Sequence, residues 1–146
     1  MKKKFVDPRY AKSGEYAKVI EKIAGSGYCP FCHENFHHHK HKIIKLHQGW
    51  FLTKCSWPYP NTKLHLLLIV ERHKESLTQL SNNDWLAISY LVKLAIKKFK
   101  IKGGGLMMRF GQTKYTGATV KHLHAHLVVP KLKNKSTAMV VNFPIG

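Results

Sequence analysis

Negative charge is what this chain lacks most. Seven Asp and Glu stand against 25 Lys and Arg, a formal net charge of +18, and no acidic residue follows Asp84 in the 146 positions. From Trp85 onward ten Lys and Arg109 are unopposed. A field of that sign attracts phosphate, on a nucleotide or along a nucleic-acid backbone, and does not choose between them. Cysteine is scarce too: Cys29, Cys32 and Cys55 are an odd set that makes no disulfide framework. The longest apolar run, Leu66 to Val70 with Leu64 before it, is far too short to span a bilayer. Phe5-Val6-Asp7-Pro8, after three lysines, supplies no apolar core for a signal peptide. These absences exclude a disulfide-stapled secreted domain and a membrane-spanning helix. The expected location is a reducing cytoplasm, where a close cysteine pair binds metal or cycles redox.

What is present fits one domain over residues 1–146. Hydrophobic residues make up 44%, enough for a real core at this length. Tyr16, Val19, Ile20 and Ile23 fall at helical spacing, predicting a short helix from about Ser13 to Ala24 that ends at Gly25-Ser26-Gly27. Residues 1–26 thus form an N-terminal helical extension, 27–130 a core, and 131–146 a tail. Ile43 to Cys55 reads as one or two strands, Leu64 to Val70 as a buried strand, and Leu106 to Phe110 as another. The clearest helix runs from about Asn83, which can cap it, to Phe99. Trp85, Ile88, Val92, Ala95 and Phe99 trace one face, and Gly103-Gly104-Gly105 ends it. Gly111 to Gly117 reads as a turn, Val120 to Val129 as a strand closed by Pro130, and Val140 to Phe143 as a last, weaker strand. The sum is an α+β domain with a largely antiparallel sheet of about five strands.

The most informative stretch is Lys121-His122-Leu123-His124-Ala125-His126-Leu127-Val128. In a strand, alternate side chains share a face, so His122, His124 and His126 line one surface and Leu123, Ala125 and Leu127 the other. Imidazoles make a poor core, because each buried ring nitrogen needs a partner. They make a good site, as nucleophile, proton shuttle or metal ligand near neutral pH.

This stretch resembles the signature of the histidine-triad (HIT) superfamily, His-x-His-x-His followed by two apolar residues. Thr62 to His73 looks like the family's strand segment, in which a histidine (here His65) precedes an apolar run and a basic residue followed by histidine closes it. Gly117-Ala118-Thr119-Val120 resembles its Gly-Gln-Ser-Val lead-in. The resemblance covers roughly residues 27–130 and implies a HIT-like fold. It also implies a hydrolase or transferase acting at a nucleotide α-phosphate, with phosphoramidates or dinucleoside polyphosphates of a purine nucleotide as the substrate class. On this pattern His124 attacks phosphorus and forms a covalent nucleotidyl-histidine intermediate. His126 contacts the phosphate or helps protonate the leaving group, Thr119 offers its hydroxyl to the same oxygens, and His65 flanks the site. The family's pairing through its long helix and a neighbouring strand implies a homodimer. Two positions depart from the pattern. Ala118 replaces the lead-in Gln, and Arg109 stands where a phosphate-facing Asn is common; Arg can clamp phosphate bidentately.

Cys29 and Cys32 have the spacing of half a tetrahedral zinc site. In a branch of the same family a similar pair binds zinc with the histidine after the basic residue and the first triad histidine. Carried over, the ligands are Cys29, Cys32, His73 and His122 around a structural zinc, with no organic cofactor. His33 and His37 to His41 could supply the missing ligands instead. Cys29-Pro30-Phe31-Cys32-His33 also matches a haem-attachment string, which requires export, and a redox pair should open a helix after a strand. Cys55 reads as a buried small hydrophobe, and His37 to His41 as a solvated loop. A reading of another class is a basic, zinc-bearing nucleic-acid-binding module using Trp57 and Tyr59 as exposed stacking surfaces. A deadenylylase acting on nucleic-acid ends joins the two.

Overall fold

The computed structural model describes residues 3–11 and 14–146, so the expected first-helix start at Ser13 lies outside the described residues. Helix α1 spans Gly14–Ser26. Strands β1 (Ile43–His47) and β2 (Trp50–Lys54) form a hairpin, followed by β3 (Thr62–Val70). Helix α2 (Asn82–Lys98) leads to β4 (Gly105–Met108), a short α3 (Thr113–Thr116) and β5 (His124–Pro130). The strands form one antiparallel sheet in the order β1-β2-β3-β5-β4. The fold is therefore α+β, as the sequence predicts, and no helix among the described residues is long and apolar enough to cross a membrane.

Period-two alternation gives the sheet two unlike faces. Leu66, Leu68, Val70, Leu123, Ala125 and Leu127 face α2 and pack on its Ala87, Ile88, Leu91 and Ala95. Leu67 and Ile69 face the other way, with Phe51, and are covered by Ile20 and Ile23 of α1 and by Cys29, Phe31 and Cys32. The central β3–β5 pairing sets Leu67 opposite His126 and Ile69 opposite His124. The histidine-bearing side thus lies under the N-terminal extension rather than in open solvent.

Among the boundaries that differ from the sequence reading, four trace to specific contacts. Strand β5 begins at His124 rather than Val120. Upstream, Val120 bridges to Val6, Lys121 N–H donates to the Phe5 carbonyl at 2.8 Å, and Leu123 N–H to the Lys74 carbonyl at 2.7 Å. Residues 111–117 hold α3 rather than a plain turn, and Gly117 closes it in the left-handed region at φ 64°, where glycine avoids a Cβ clash. No strand forms over Val140–Phe143; the tail is held instead by Asn61 Nδ2 on the Val140 carbonyl, 2.9 Å. The cap of α2 is Ser81, not Asn83. Ser81 Oγ accepts from Asp84 N–H at 3.3 Å while the Asp84 carboxylate accepts from Ser81 N–H at 2.7 Å, a reciprocal capping box.

Asp84 also ties helix to sheet. Its carboxylate accepts from the buried Trp50 indole at 2.8 Å and from Lys74 Nζ at 2.9 Å. Burial pushes its pKa upward, but the Ser81 backbone, Trp50 and Lys74 outweigh that and hold it at about 2. Because the folded value lies below the usual 3.8, the contribution is complete above that pH and lost as pH falls through about 2. Asp84→Ala strands the Trp50 N–H and removes the carboxylate half of the capping box, at a cost of about 3 kcal/mol. Urea unfolding at neutral pH checks this, and a loss below about 1 kcal/mol contradicts it.

Candidate active site

The triad is anchored from its N-terminal side. Asp7 N–H donates to the Thr119 carbonyl at 2.7 Å, and Thr113 Oγ1 donates to the Asp7 carboxylate at 2.8 Å. The Arg9 side chain, helped by Thr113, holds that carboxyl at about 2, against the upward pull of burial. This strap sets Tyr10 beside the lead-in and fixes where β5 starts. His122 occupies a bend just before the strand, and only His124 and His126 stand on it.

Hydrogen bonds assign the tautomers of the site imidazoles. A neutral imidazole carries one N–H and one lone pair, so a partner on one nitrogen decides what the other offers. Burial keeps these rings neutral: His124 is pushed down to about 3, His65 to about 4, and His126 well below its usual value. His124 Nδ1 lies 2.6 Å from the His122 carbonyl, which can only accept, so Nδ1 holds the proton and Nε2 keeps a lone pair. The Tyr59 backbone N–H donates to His65 Nδ1 at 3.1 Å. His65 therefore carries its proton on Nε2 and donates to His126 Nδ1 at 2.9 Å. His126 is left with an Nε2–H that is buried and, among the described residues, has no protein partner. Two adjacent rings, 4.8 Å apart, thus present opposite functions, a lone pair on His124 and a donor on His126.

Both rings, with His65, Thr119 and Arg109, line a cavity of about 560 Å³. Its other wall is aromatic: Tyr10, Tyr16, Phe31, Trp57 and Tyr59. Trp57 and Tyr59 are half-buried here, Trp57 against Tyr16 and Tyr59 stacked on His126, rather than exposed stacking surfaces. Cys55 is only half-buried and lines the same cavity. Thr119 Oγ1 donates to the Tyr10 carbonyl at 3.3 Å, so its hydroxyl is engaged by the backbone. One Arg109 terminal nitrogen donates to the Gly117 and Pro144 carbonyls at 3.3 and 3.1 Å, and Arg109 Nε is buried without a partner among the described residues. The tail brings Phe143 edge-on to His126 at 5.1 Å. Tyr10, Tyr16, Phe31 and Phe143 escape sequence reading because chain folding, not spacing, brings them to the histidines.

A second cluster lies beside the first. Ligand atoms of Cys29, Cys32, His73 and His122 all fall within 4.8 Å of one another. His122 Nε2–H donates to the Val70 carbonyl at 2.6 Å and His73 Nε2–H to Glu75 at 2.8 Å. Both Nδ1 lone pairs are therefore turned toward the thiols, with His122 Nδ1 3.2 Å from Cys29 Sγ and His73 Nδ1 3.8 Å from Cys32 Sγ. Burial pushes the Cys29 thiol up to about 12 and raises Cys32, so a bound divalent cation is what would favour thiolates here. Two soft sulfurs, two imidazole nitrogens and partners that orient both rings fit tetrahedral zinc. The alternative ligands lie elsewhere: His33 faces Glu71 at 3.2 Å, and His39 stacks on Phe36. The expected solvated loop instead includes a 3-10 helix over His33–His38.

Comparison with known proteins bears on the fold and the family. The HIT domain family matches residues 58–133. A histidine triad nucleotide-binding protein from Candida albicans superposes with a TM-score of 0.60 at 20% identity, covering 80% of this chain and 83% of that one. A HIT family hydrolase from Clostridium thermocellum gives 0.54 at 22%, covering 76% and 96%. A zinc-bound histidine triad family protein from Mycobacterium smegmatis gives 0.54 at 19%, covering 78% and 82%. No curated protein matches the chain. These structures share the fold, and the family match spans more than half of the residues, from Pro58 through the triad to Lys133, so this chain belongs to the HIT domain family.

Proposed function

We propose that the protein is a single-domain nucleotidyl hydrolase or transferase in which His124 attacks the α-phosphorus of a bound nucleotide. The observation that carries this reading is the bond from His124 Nδ1–H to the His122 carbonyl, which leaves the Nε2 lone pair available beside an aromatic cavity. The base stacks among Tyr10, Tyr16, Phe31 and Trp57, a surface suited to a purine. The phosphate lies between His124 and His126, with Arg109 beside it and Thr119 at the lead-in. Nε2 forms the P–N bond, and the bond from phosphorus to the leaving group breaks, its electron pair leaving with that group. His126 Nε2–H, held by His65, hydrogen-bonds the departing side of the phosphoryl group. Water, or a second acceptor, then forms a P–O bond as the P–N bond breaks, and the surplus proton passes to solvent.

Cys29, Cys32, His73 and His122 would hold a structural zinc. It would tie the N-terminal loop to the triad and fix the His122 carbonyl that orients His124. The names of the Candida, Clostridium and Mycobacterium proteins (nucleotide-binding, hydrolase, zinc-bound) support the corresponding parts of this reading. Exposed Trp85, Leu86 and Tyr90 on α2, with Leu106 on the edge strand β4, supply an apolar face for a second copy. Free thiols in the ligand set suit a reducing cytoplasm.

His124→Ala should lower mononucleotide release from an adenosine phosphoramidate or diadenosine polyphosphate by at least about 1,000-fold without changing the melting temperature. Unchanged release removes the nucleophile assignment. Protein purified without chelators should carry about one zinc per chain, and Cys29→Ser should lose it with a fall in thermal stability. Metal content near zero in the wild type, measured by elemental analysis, overturns the second centre. Leu86→Glu should shift a homodimer toward monomer in sedimentation analysis, and a wild-type monomer at all concentrations would refute the pairing.

A further inference from the structure

Strand register gathers lysines at one end of the domain. Lys54 closes β2, Lys63 stands second in β3, and β5 runs out at Pro130, opposite Thr62. Lys54 Nζ lies over the Phe99 ring at 6.0 Å, so the C-terminal end of α2 meets the same edge. Lys100 and Lys102 follow that helix end. With Lys63 they border one depression, whose opposite rim is Leu132, Ala138 and Met139 of the tail. No acidic residue follows Asp84 in the chain. Among the described residues none of these lysines lies within ion-pairing distance of a carboxylate, whereas Lys3, Arg9, Lys40 and Lys74 each have one.

At this end the chain doubles back in a short hairpin over residues 131–139. Leu132 bridges Ala138 in antiparallel sense. Lys133 N–H donates to the Thr137 carbonyl, and Met139 N–H to the Lys131 carbonyl, both at 2.8 Å. Asn134 Oδ1 sets the tip by accepting from the Ser136 and Thr137 amides at 2.9 Å. Asn61 pins the base, its carbonyl accepting from Lys131 N–H at 2.8 Å and its Nδ2 donating to the Val140 carbonyl at 2.9 Å. Lys131, Lys133 and Lys135 are exposed along this hairpin. A lysine excess leaves amines unpaired anywhere on a surface, but a hairpin fixed at tip and base holds them in a defined array. Crowded like charges destabilise the compact state, and a polyanion relieves them.

We infer that this end of the domain docks duplex DNA through its phosphates, without reading sequence, and that the 131–139 hairpin enters the major groove. That groove admits a two-stranded ribbon. Lysine amines are point charges that position a protein on phosphate and do not distinguish bases. Asn134 Oδ1 at the tip, which could otherwise read a base edge, is occupied by backbone amides. A single strand would call for exposed rings to stack its bases. The exposed rings Trp85, Tyr90, Phe110 and Tyr115 lie instead on the N-terminal half of α2 and beyond the far end of β4. A bilayer would call for an apolar tip, and Asn134-Lys135-Ser136 is polar. The surface is separate from the imidazole cavity, and the inference does not depend on nucleotidyl transfer.

The test measures binding of the full chain to a DNA duplex of about 24 base pairs by fluorescence anisotropy across a salt series. The logarithm of the binding constant should fall against the logarithm of salt with a slope of about −5, and be the same for two unrelated sequences. Replacing Lys131, Lys133 and Lys135 together by Gln should bring the slope about 2 to 3 closer to zero. Replacing Lys18, Lys22 and Lys114 together by Gln removes the same charge from α1 and α3 and should leave the slope unchanged. Both variants should melt no lower than the wild type, since every replaced side chain is exposed. Equal losses in the two variants would show that net charge and not this surface binds, and would overturn the inference. A slope near zero, tighter binding to the single strand, or preference for phosphatidylserine vesicles over the duplex would also overturn it. No turnover enters the measurement, so any of these failures leaves the nucleotidyl-transfer reading untouched.

Discussion

A buried imidazole can leave one nitrogen free only if the other is satisfied, and the identity of that partner decides what the free nitrogen does. In this protein a backbone carbonyl serves His124 and a backbone amide, relayed through His65, serves His126. The first leaves a lone pair and the second leaves a proton. Two chemically identical side chains two residues apart thereby acquire complementary hydrogen-bonding roles from the backbone groups that serve them. The remaining architecture holds those backbone groups in place: the N-terminal strap, the β3–β5 register and the cysteine loop each fix a piece of chain that offers or positions one of them.

The cysteine–histidine cluster and the imidazole pair share a residue, and that sharing explains their proximity. His122 presents its ring to the cysteines and its carbonyl to His124. Because it sits on a bend rather than within β5, ring and carbonyl can serve different neighbours. Had the strand begun at Val120, the His122 carbonyl would have been available to the sheet ladder. The bend follows from the upstream pairing of Lys121 with Phe5 and of Leu123 with Lys74, so residues far apart in sequence determine which group faces His124.

Patterns of short period were legible in the sequence. Alternating histidines, the apolar run of β3, the amphipathic α2 and the Cys29–Cys32 spacing each state their geometry locally. Their partners were not legible, because they depend on chain closure. No spacing rule brings Phe143 to His126 or Tyr10 to Thr119. Asn83 lies nearer the first apolar residue and so masks Ser81 as the cap, although the Ser81-to-Asp84 spacing is that of a capping box. The tail's Val140–Phe143 has strand-forming residues, yet a side-chain amide and ring contacts hold it without a ladder. Local propensity was present there and a pairing edge was not.

Pro58 and Pro60 have no amide hydrogen, which makes the one on Tyr59 the sole main-chain donor of that tripeptide. The group that sets the relay is thus common to every amino acid except proline and belongs to no side chain. Conventional scanning mutagenesis would register the phenol ring lying on His126 and pass over the amide beside it. At this position an ester-for-amide exchange, rather than any of the twenty residues, is what can interrogate the proton arrangement of the site.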